Sequence, residues 1–452
     1  HPGEAYGGAP PEISPDVLQE ELRKLPDTRL QPVFTVETEQ RKYALVRNNC
    51  EITAIVADGA AKTTDRTASF GEVKFWLKNG SASEFFSFIL AIDETVPLLL
   101  AARGYALLDR AKKRHVKRKP AKLHRGMTSA AAFPLIAHEC LYQVVANEPA
   151  MSTGDAEALH QVRIGLRRLK TPISLFAPVG TDTQTQTIKA EGRWFADLLG
   201  PARDLDVFLS EVMLPLREQY RDEPGLVSLQ RTYNAQRTKL YDRISQAANS
   251  VRFRSLALET VTWIETGVWV MNQSEQATAA RNRPIEDFAE AELTRRRKKV
   301  KKRGDGLTAL SPDERHALRL HVKKLRYTAE FFLSLFPGKK KSKRAFLTSL
   351  KNLQTALGDV NDIAVRAGLK TEIITERKNR ADVQKLQHRA FAAGLIIGHQ
   401  RAKVETIVKM AERAYRDFLD AKSFWNSGEP KRAAPVPVEK EHAPDLFDIQ
   451  PA

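Results

Sequence analysis

A mainly α-helical chain with a small antiparallel β module at its N-terminus is what this sequence predicts, on three observations. Short runs rich in β-branched and aromatic residues occupy the first hundred residues. From about residue 129 the apolar residues recur at the helical period, and one helical segment occurs twice at a fixed offset. The 452 residues, 42% of them hydrophobic, suffice for two or three domains with their own cores.

The opening, HPGEAYGGAPPEISP, is Gly- and Pro-rich and lacks the basic and apolar regions of a secretory signal; starting on His1 and not on Met, the sequence leaves open whether residues precede it. PVFTV, CEITAIVA and EVKFWLK read as strands, punctuated by the turn signals Asp58-Gly59 and Asn79-Gly80. The most apolar run, residues 85–102, is interrupted by Asp93 and Glu94, which argues against a membrane span and for a soluble, cytoplasmic protein. Cys50 and Cys140, two unspaced thiols, support neither a disulfide framework nor a thiolate zinc site, and no metal or other cofactor is expected. The basic stretch 110–119, closed by Pro120, reads as a linker. Beyond it, ECLYQVVANE, EGRWFADLL, RTYNAQRTKLYDRISQAAN and LKNLQTALGDVNDIAVRAGLK are amphipathic helices.

Charge is distributed unevenly. The chain carries 72 Lys and Arg against 55 Asp and Glu, a formal +17. Residues 1–120 are nearly neutral, with 18 basic and 16 acidic residues. The last 27 residues, with five prolines, read as a disordered tail. The helical middle therefore holds the whole net charge, and a polyanionic partner belongs there.

Within that middle, HQVRIGLRRLK at residues 160–170 and HALRLHVKKLR at 316–326 match at an offset of 156. Val162, Leu166, Leu169, Ile173 and Phe176 recur as Leu318, Val322, Leu325, Ala329 and Phe332, an apolar seam in both copies. On another face His160, Arg163, Arg167 and Lys170 recur as His316, Arg319, Lys323 and Arg326, spaced 3,4,3 and so stacked in a line. A solvated helix face normally interleaves acids at i±4. None occurs between Glu157 and Asp182 or between Glu314 and Glu330, so each ridge keeps a self-repulsion that an external anion would relieve. Neither histidine has a second ligand type at i+3 or i+4, which argues for phosphate hydrogen bonding over metal binding. A second repeat, LGPARDLDVF from Leu199 and LGDVNDIAVR from Leu357, aligns Gly200 with Gly358 and Asp204 with Asp362. It reads as a helix break, the glycine ending one helix and the aspartate capping the next. RRRKKVKKR at 295–303 and KKKSKR at 339–344 are further basic runs.

The twin segments resemble the signature helices of the CHAD domain, the conserved histidine α-helical domain. ANEPAM, both LG…D elements, AAGLIIGHQRA and SFW extend the resemblance over roughly residues 127–425. It implies two pseudo-symmetric four-helix-bundle-like halves whose ridges bind inorganic polyphosphate. The ligand-contacting residues it implies are His160, Arg163, Arg167, Arg168 and Lys170, with His316, Arg319, Lys323, Lys324 and Arg326. The N-terminal strands resemble the second half of a CYTH domain, the triphosphate tunnel fold. The ExExK metal motif is absent, Thr53 stands where an acid is expected beside Glu51, Lys74 and Trp76 follow Glu72, and Leu100 falls where a lysine is expected. A cation at a metal ligand's position inverts the local charge, so no triphosphatase activity is expected.

The expected organisation is a partial CYTH-like β remnant over 1–108, a basic linker over 109–126, helical halves over 127–285 and 286–425, and the tail 426–452. The expected function is non-catalytic polyphosphate binding in the cytoplasm, with association to polyphosphate granules. A metal-dependent inorganic triphosphatase and a general nucleic-acid binder are the alternatives. Nucleic acid is disfavoured because Tyr327 alone among the ridge residues offers a base a stacking surface. No membrane partner is expected, since the 295–303 run lacks an adjoining apolar face. The sequence leaves the oligomeric state open.

Overall fold

Three long strands begin the architecture in this computed structural model, which describes residues 35–47, 49–63, 67–102, 115–117, 120–177, 182–338, 340–368, 383–425 and 447–451. β1 (Thr35–Arg47), β2 (Cys50–Lys62) and β3 (Thr67–Asn79) form an antiparallel meander, with Arg47 opposite Cys50 and Lys62 opposite Thr67. β1 extends well past the PVFTV stretch. Asp58-Gly59 is not a turn but lies inside β2, where Gly59 faces Thr38 and Phe70. A Cβ there would stand 2.3 Å from the Glu37 carbonyl oxygen, so this glycine serves a close strand approach.

Helix α1 (Ala82–Asp93) starts at Ser81, whose hydroxyl accepts the Glu84 N–H. Its Phe85, Phe86 and Ile89 join Cys50, Ile52, Val73 and Leu77 in one apolar cluster. β4 (Leu98–Ala102) follows at once, its Leu98 N–H donated to Asp93 at 2.7 Å. The apolar run 85–102 is thus a helix and a strand, and no described helix is long and apolar enough to cross a membrane. A fifth strand, β5 (Phe447–Pro451), completes the sheet in the order β1-β2-β3-β5-β4. This corrects the reading of a wholly disordered tail. The prolines that set the composition precede a short alternating stretch, FDIQ, and β3 and β4 otherwise expose unpaired backbone edges. Residues 426–446 lie outside the described ones.

The helical part opens with α2 (Ser129–Val145), α3 (Glu148–Ser152), α4 (Ala156–Leu175), α5 (Thr183–Phe208), α6 (Leu214–Gln219) and α7 (Pro224–Ala248). Then come α8 (Val251–Thr266), α9 (Val268–Met271) and α10 (Glu275–Asn282), followed by α11 (Ile285–Gly304), α12 (Pro312–Phe331), α13 (Lys340–Gly368) and α14 (Val383–Asp420). Two four-helix units result, α2/α4/α5/α7 and α11/α12/α13/α14, each joining its helices in the same order. The units meet through α7 against α14 and α4 against α12, while α8 packs on α2, α5, α1 and β4 and so carries the β module. Part of the expected linker is pinned, because Asn147 receives the Val116 N–H at 2.8 Å and donates to the Val116 carbonyl at 2.9 Å.

Helices α4 and α12 are both 20 residues long and start and stop at the offset of 156 read from the sequence. Asp155 caps α4 by accepting the Glu157 and Ala158 N–H groups at 2.8 Å, and Ser311 caps α12 in a reciprocal box with Glu314. All ten seam residues are buried. Each large one contributes about 1.5–3 kcal/mol by leaving water.

The expected helix breaks at Gly200 and Gly358 are absent. Helices α5 and α13 run through both, because each glycine answers a neighbouring helix and not a turn.

Candidate functional site

What lies on those two glycines is the ridge. The Arg163 guanidinium of α4 lies against α5 at Gly200, where a Cβ would be 3.3 Å from Nη1, and Nη1 donates to the Ala196 carbonyl at 3.3 Å. In the second unit Arg319 of α12 lies against α13 at Gly358, with Nη2 3.3 Å from the same notional Cβ. The two repeated motifs are therefore one device, an arginine laid across a helix that a side chain would obstruct. Their spacing in sequence follows from that packing. Asp362 belongs to a stretch whose side chains lie outside the described ones. The nearby Asp206 is buried and accepts from Arg237 Nε and the Tyr241 hydroxyl, both at 2.6 Å. Burial, then the hydrogen bond to Asp206, holds the Tyr241 hydroxyl well above its ordinary pKa.

In the first unit the structure brings His160, Arg163, Arg167 and Lys170 together, half-buried against α5. Burial and then the Arg203 charge depress His160 to about 4, so its imidazole is neutral at neutral pH. Burial and then Arg167 lower the Arg163 pKa, while Asp204 and Asp197 oppose the shift. Burial and then Arg193 lower Lys170, again against Asp197. The groove between α4 and α5 thus holds Arg193 and Arg203 in addition to the ridge, and two aspartates do not neutralise it. Arg167 makes no hydrogen bond or ion pair among the described residues, and its Nε is buried.

Sequence reasoning missed Arg193 and Arg203. For Arg203 the available signal was the second repeat, LGPARDLDVF, which recurs beside each ridge; Arg193 precedes that repeat and carried no such signal.

The second unit is less regular. His316 is exposed, Arg319 lies along α13, and Lys323 is half-buried. Lys324 turns away toward α11, where Arg296, Lys299 and Arg303 surround His321. Burial and these cations depress His321 to about 4. The 295–303 run is a helix turn set, not a loose basic segment. Arg296 is buried beside Glu292, and Arg297 donates to Ser423 and to the Ala421 carbonyl at 2.7 and 2.6 Å.

Arg168 and Arg326 are half-buried and bonded to neighbouring side chains. Arg326 Nε donates to Glu330 at 2.8 Å and Nη1 to Gln354 at 3.2 Å, while Arg168 ion-pairs with the other Glu330 oxygen. Arg168 also lies 5.3 Å over the Tyr327 ring and reaches Gln143, which donates to Gln161 at 2.8 Å. This polar chain ties α4 to α12 across the two units. By the repeat, the positions corresponding to Tyr327 and Glu330 are Thr171 and Ser174, so the tie exists once and Lys324, the counterpart of Arg168, has no such acid.

Among the described residues no group of three His, Cys, Asp or Glu could hold a metal ion. In the β module Lys74 Nζ lies 3.5 Å from Glu72. The Arg-Gly-Tyr segment at 103–105 lies outside the described residues.

The solved structures include two similar chains. The crystal structure of the CHAD domain from the plant Ricinus communis matches with a TM-score of 0.57 and 25% identity, over 68% of this chain and 98% of that one. PptA from Streptomyces chartreusis matches with a TM-score of 0.46 and 17% identity, over 64% and 99% of the two chains. Comparison with the curated proteins gives no match. The CHAD domain family matches residues 135–371, a segment that contains both ridges, both ridge-bearing helix pairs and the tie between them. The chain belongs to the CHAD family.

Proposed function

We propose that this chain is a non-catalytic binding protein for inorganic polyphosphate, working in the cytoplasm and at polyphosphate granules. The polymer runs along the α4/α5 groove and its α12/α13 counterpart. Arg167 carries the reading: a half-buried guanidinium held among like charges, with no acceptor among the described residues, costs stability unless an anion completes it. Polyphosphate carries closely spaced charge and no bases. Its affinity comes from charge-assisted hydrogen bonds and ion release.

The site offers little to a base, because Tyr327 is buried beneath Arg168. The Glu72–Lys74 contact supports an inactive β module, since the lysine occupies space and charge that a divalent cation would need. The test is competition: labelled long-chain polyphosphate on the purified chain, displaced by unlabelled polyphosphate, single-stranded RNA or duplex DNA at two salt concentrations. Polyphosphate should displace best at equal phosphate. Equal displacement by RNA or DNA contradicts the proposal.

A further inference from the structure

A cleft of about 940 Å³ opens where the α6–α7 turn and the start of α7 face the start of α14, and no ridge residue lines it. Its walls carry Arg217, Arg221, Arg231, His388 and Arg389, with Asp222 as the one carboxylate among the described lining residues. Glu223 caps α7 by accepting the Gly225 N–H at 3.1 Å and stands 3.6 Å from His388 Nδ1. The floor is a helix contact. A Cβ at Gly225 would stand 2.0 Å from the His388 carbonyl oxygen, so only glycine lets α7 approach α14 this closely.

Two guanidinium groups are held in place by hydrogen bonds. Arg217 donates to Gln230 at 3.3 Å and to the Tyr220 and Arg221 carbonyls, and Arg389 donates to Thr232 at 2.8 Å and Ser228 at 3.3 Å. Arg221 and Arg231 are exposed at the rim, and among the described residues neither they nor Arg217 has a carboxylate at ion-pair distance. Planar forks converging from two helices suit phosphoryl oxygens, which accept in bidentate fashion. Among the described lining residues there is no aromatic ring to stack a base; the apolar ones are Pro224, Val227 and Gly225.

We propose that this cleft is a separate site for a short oligophosphate. It does not rest on the polyphosphate reading of the ridges. The test is calorimetric titration of the full chain with tripolyphosphate, beside the rim variant R221A/R231A and the ridge variant R167A/K323A. Both rim residues are exposed and outside the packing, so the fold is kept. The rim variant should bind tripolyphosphate roughly tenfold or more weakly, as expected for two lost charge-assisted contacts, and the ridge variant should keep one such site within about twofold. Loss confined to the ridge variant overturns the site, as does unchanged binding in the rim variant. Equal binding of citrate or ATP at the cleft overturns the oligophosphate assignment. Failure of long-chain polyphosphate to bind the ridges leaves all of these readings distinguishable, because the rim variant reports on the cleft alone.

Discussion

Substituting Gly200 by alanine should leave the fold about as stable and weaken the ligand site. In a helix interior alanine is favoured over glycine by about 0.8–1 kcal/mol, but Pro201 follows Gly200 inside α5, and a proline ring crowds a Cβ on the helical residue before it, which offsets most of that gain. The new Cβ would also meet Arg163 Nη1 at 3.3 Å, a few tenths of an ångström too close. The clash is with the mobile end of a long side chain, and the bond it disturbs, Nη1 to the Ala196 carbonyl, is already long at 3.3 Å. Arg163 should therefore yield, leaving stability within about 0.5 kcal/mol of the wild type and Tm within roughly 2 °C. Moving the guanidinium should weaken polyphosphate binding severalfold. Gly192 on the same helix is the control: nothing lies within 4 Å of its Cβ position, so G192A should raise Tm without changing binding. Thermal unfolding and polyphosphate titration of both variants decide the matter. A fall in Tm of more than about 2 °C for G200A, or unchanged binding, would refute the view of Arg163 as a ligand arm laid over a glycine.

The depressed His160 pKa gives a pH dependence of definite sign. The unfolded chain takes up the proton near 6.5 and the folded chain only near 4. Stability is therefore full above about pH 6.5 and declines by up to about 3 kcal/mol as pH falls toward 4; chemical denaturation of H160Q should show a shallower acid limb. Replacing Glu330 by glutamine strands two arginines and should cost roughly 2 kcal/mol, read as a lower urea midpoint, with the two units loosened at α4 and α12. Truncating a seam residue such as Leu325 to alanine should cost about 2–5 kcal/mol in the same measurement.

The seams, the ridges and the lengths of α4 and α12 were legible in the sequence because each is a periodic property of one helix. Features that depend on a second element were not. Gly200 and Gly358 looked like helix ends because glycine usually breaks helices, and only the arginine resting on each gives the real cause. Asp58-Gly59 carried a turn signal that strand pairing overrode. That Arg168 and Arg326, which the resemblance names as ligand contacts, would share Glu330 of α12 was hidden for the same reason. The FDIQ strand was hidden by averaging over a proline-rich tail.

The most direct test of the two-ridge account is the salt dependence of long-chain polyphosphate binding to the wild-type chain and to R167A/K323A. These two substitutions remove one half-buried cation from each ridge and neither arm of the Glu330 tie. The account predicts weaker binding at every salt concentration and a log–log slope reduced in magnitude by roughly one to two. Wild-type affinity and slope in the variant would contradict it and place the polyanion elsewhere on the protein.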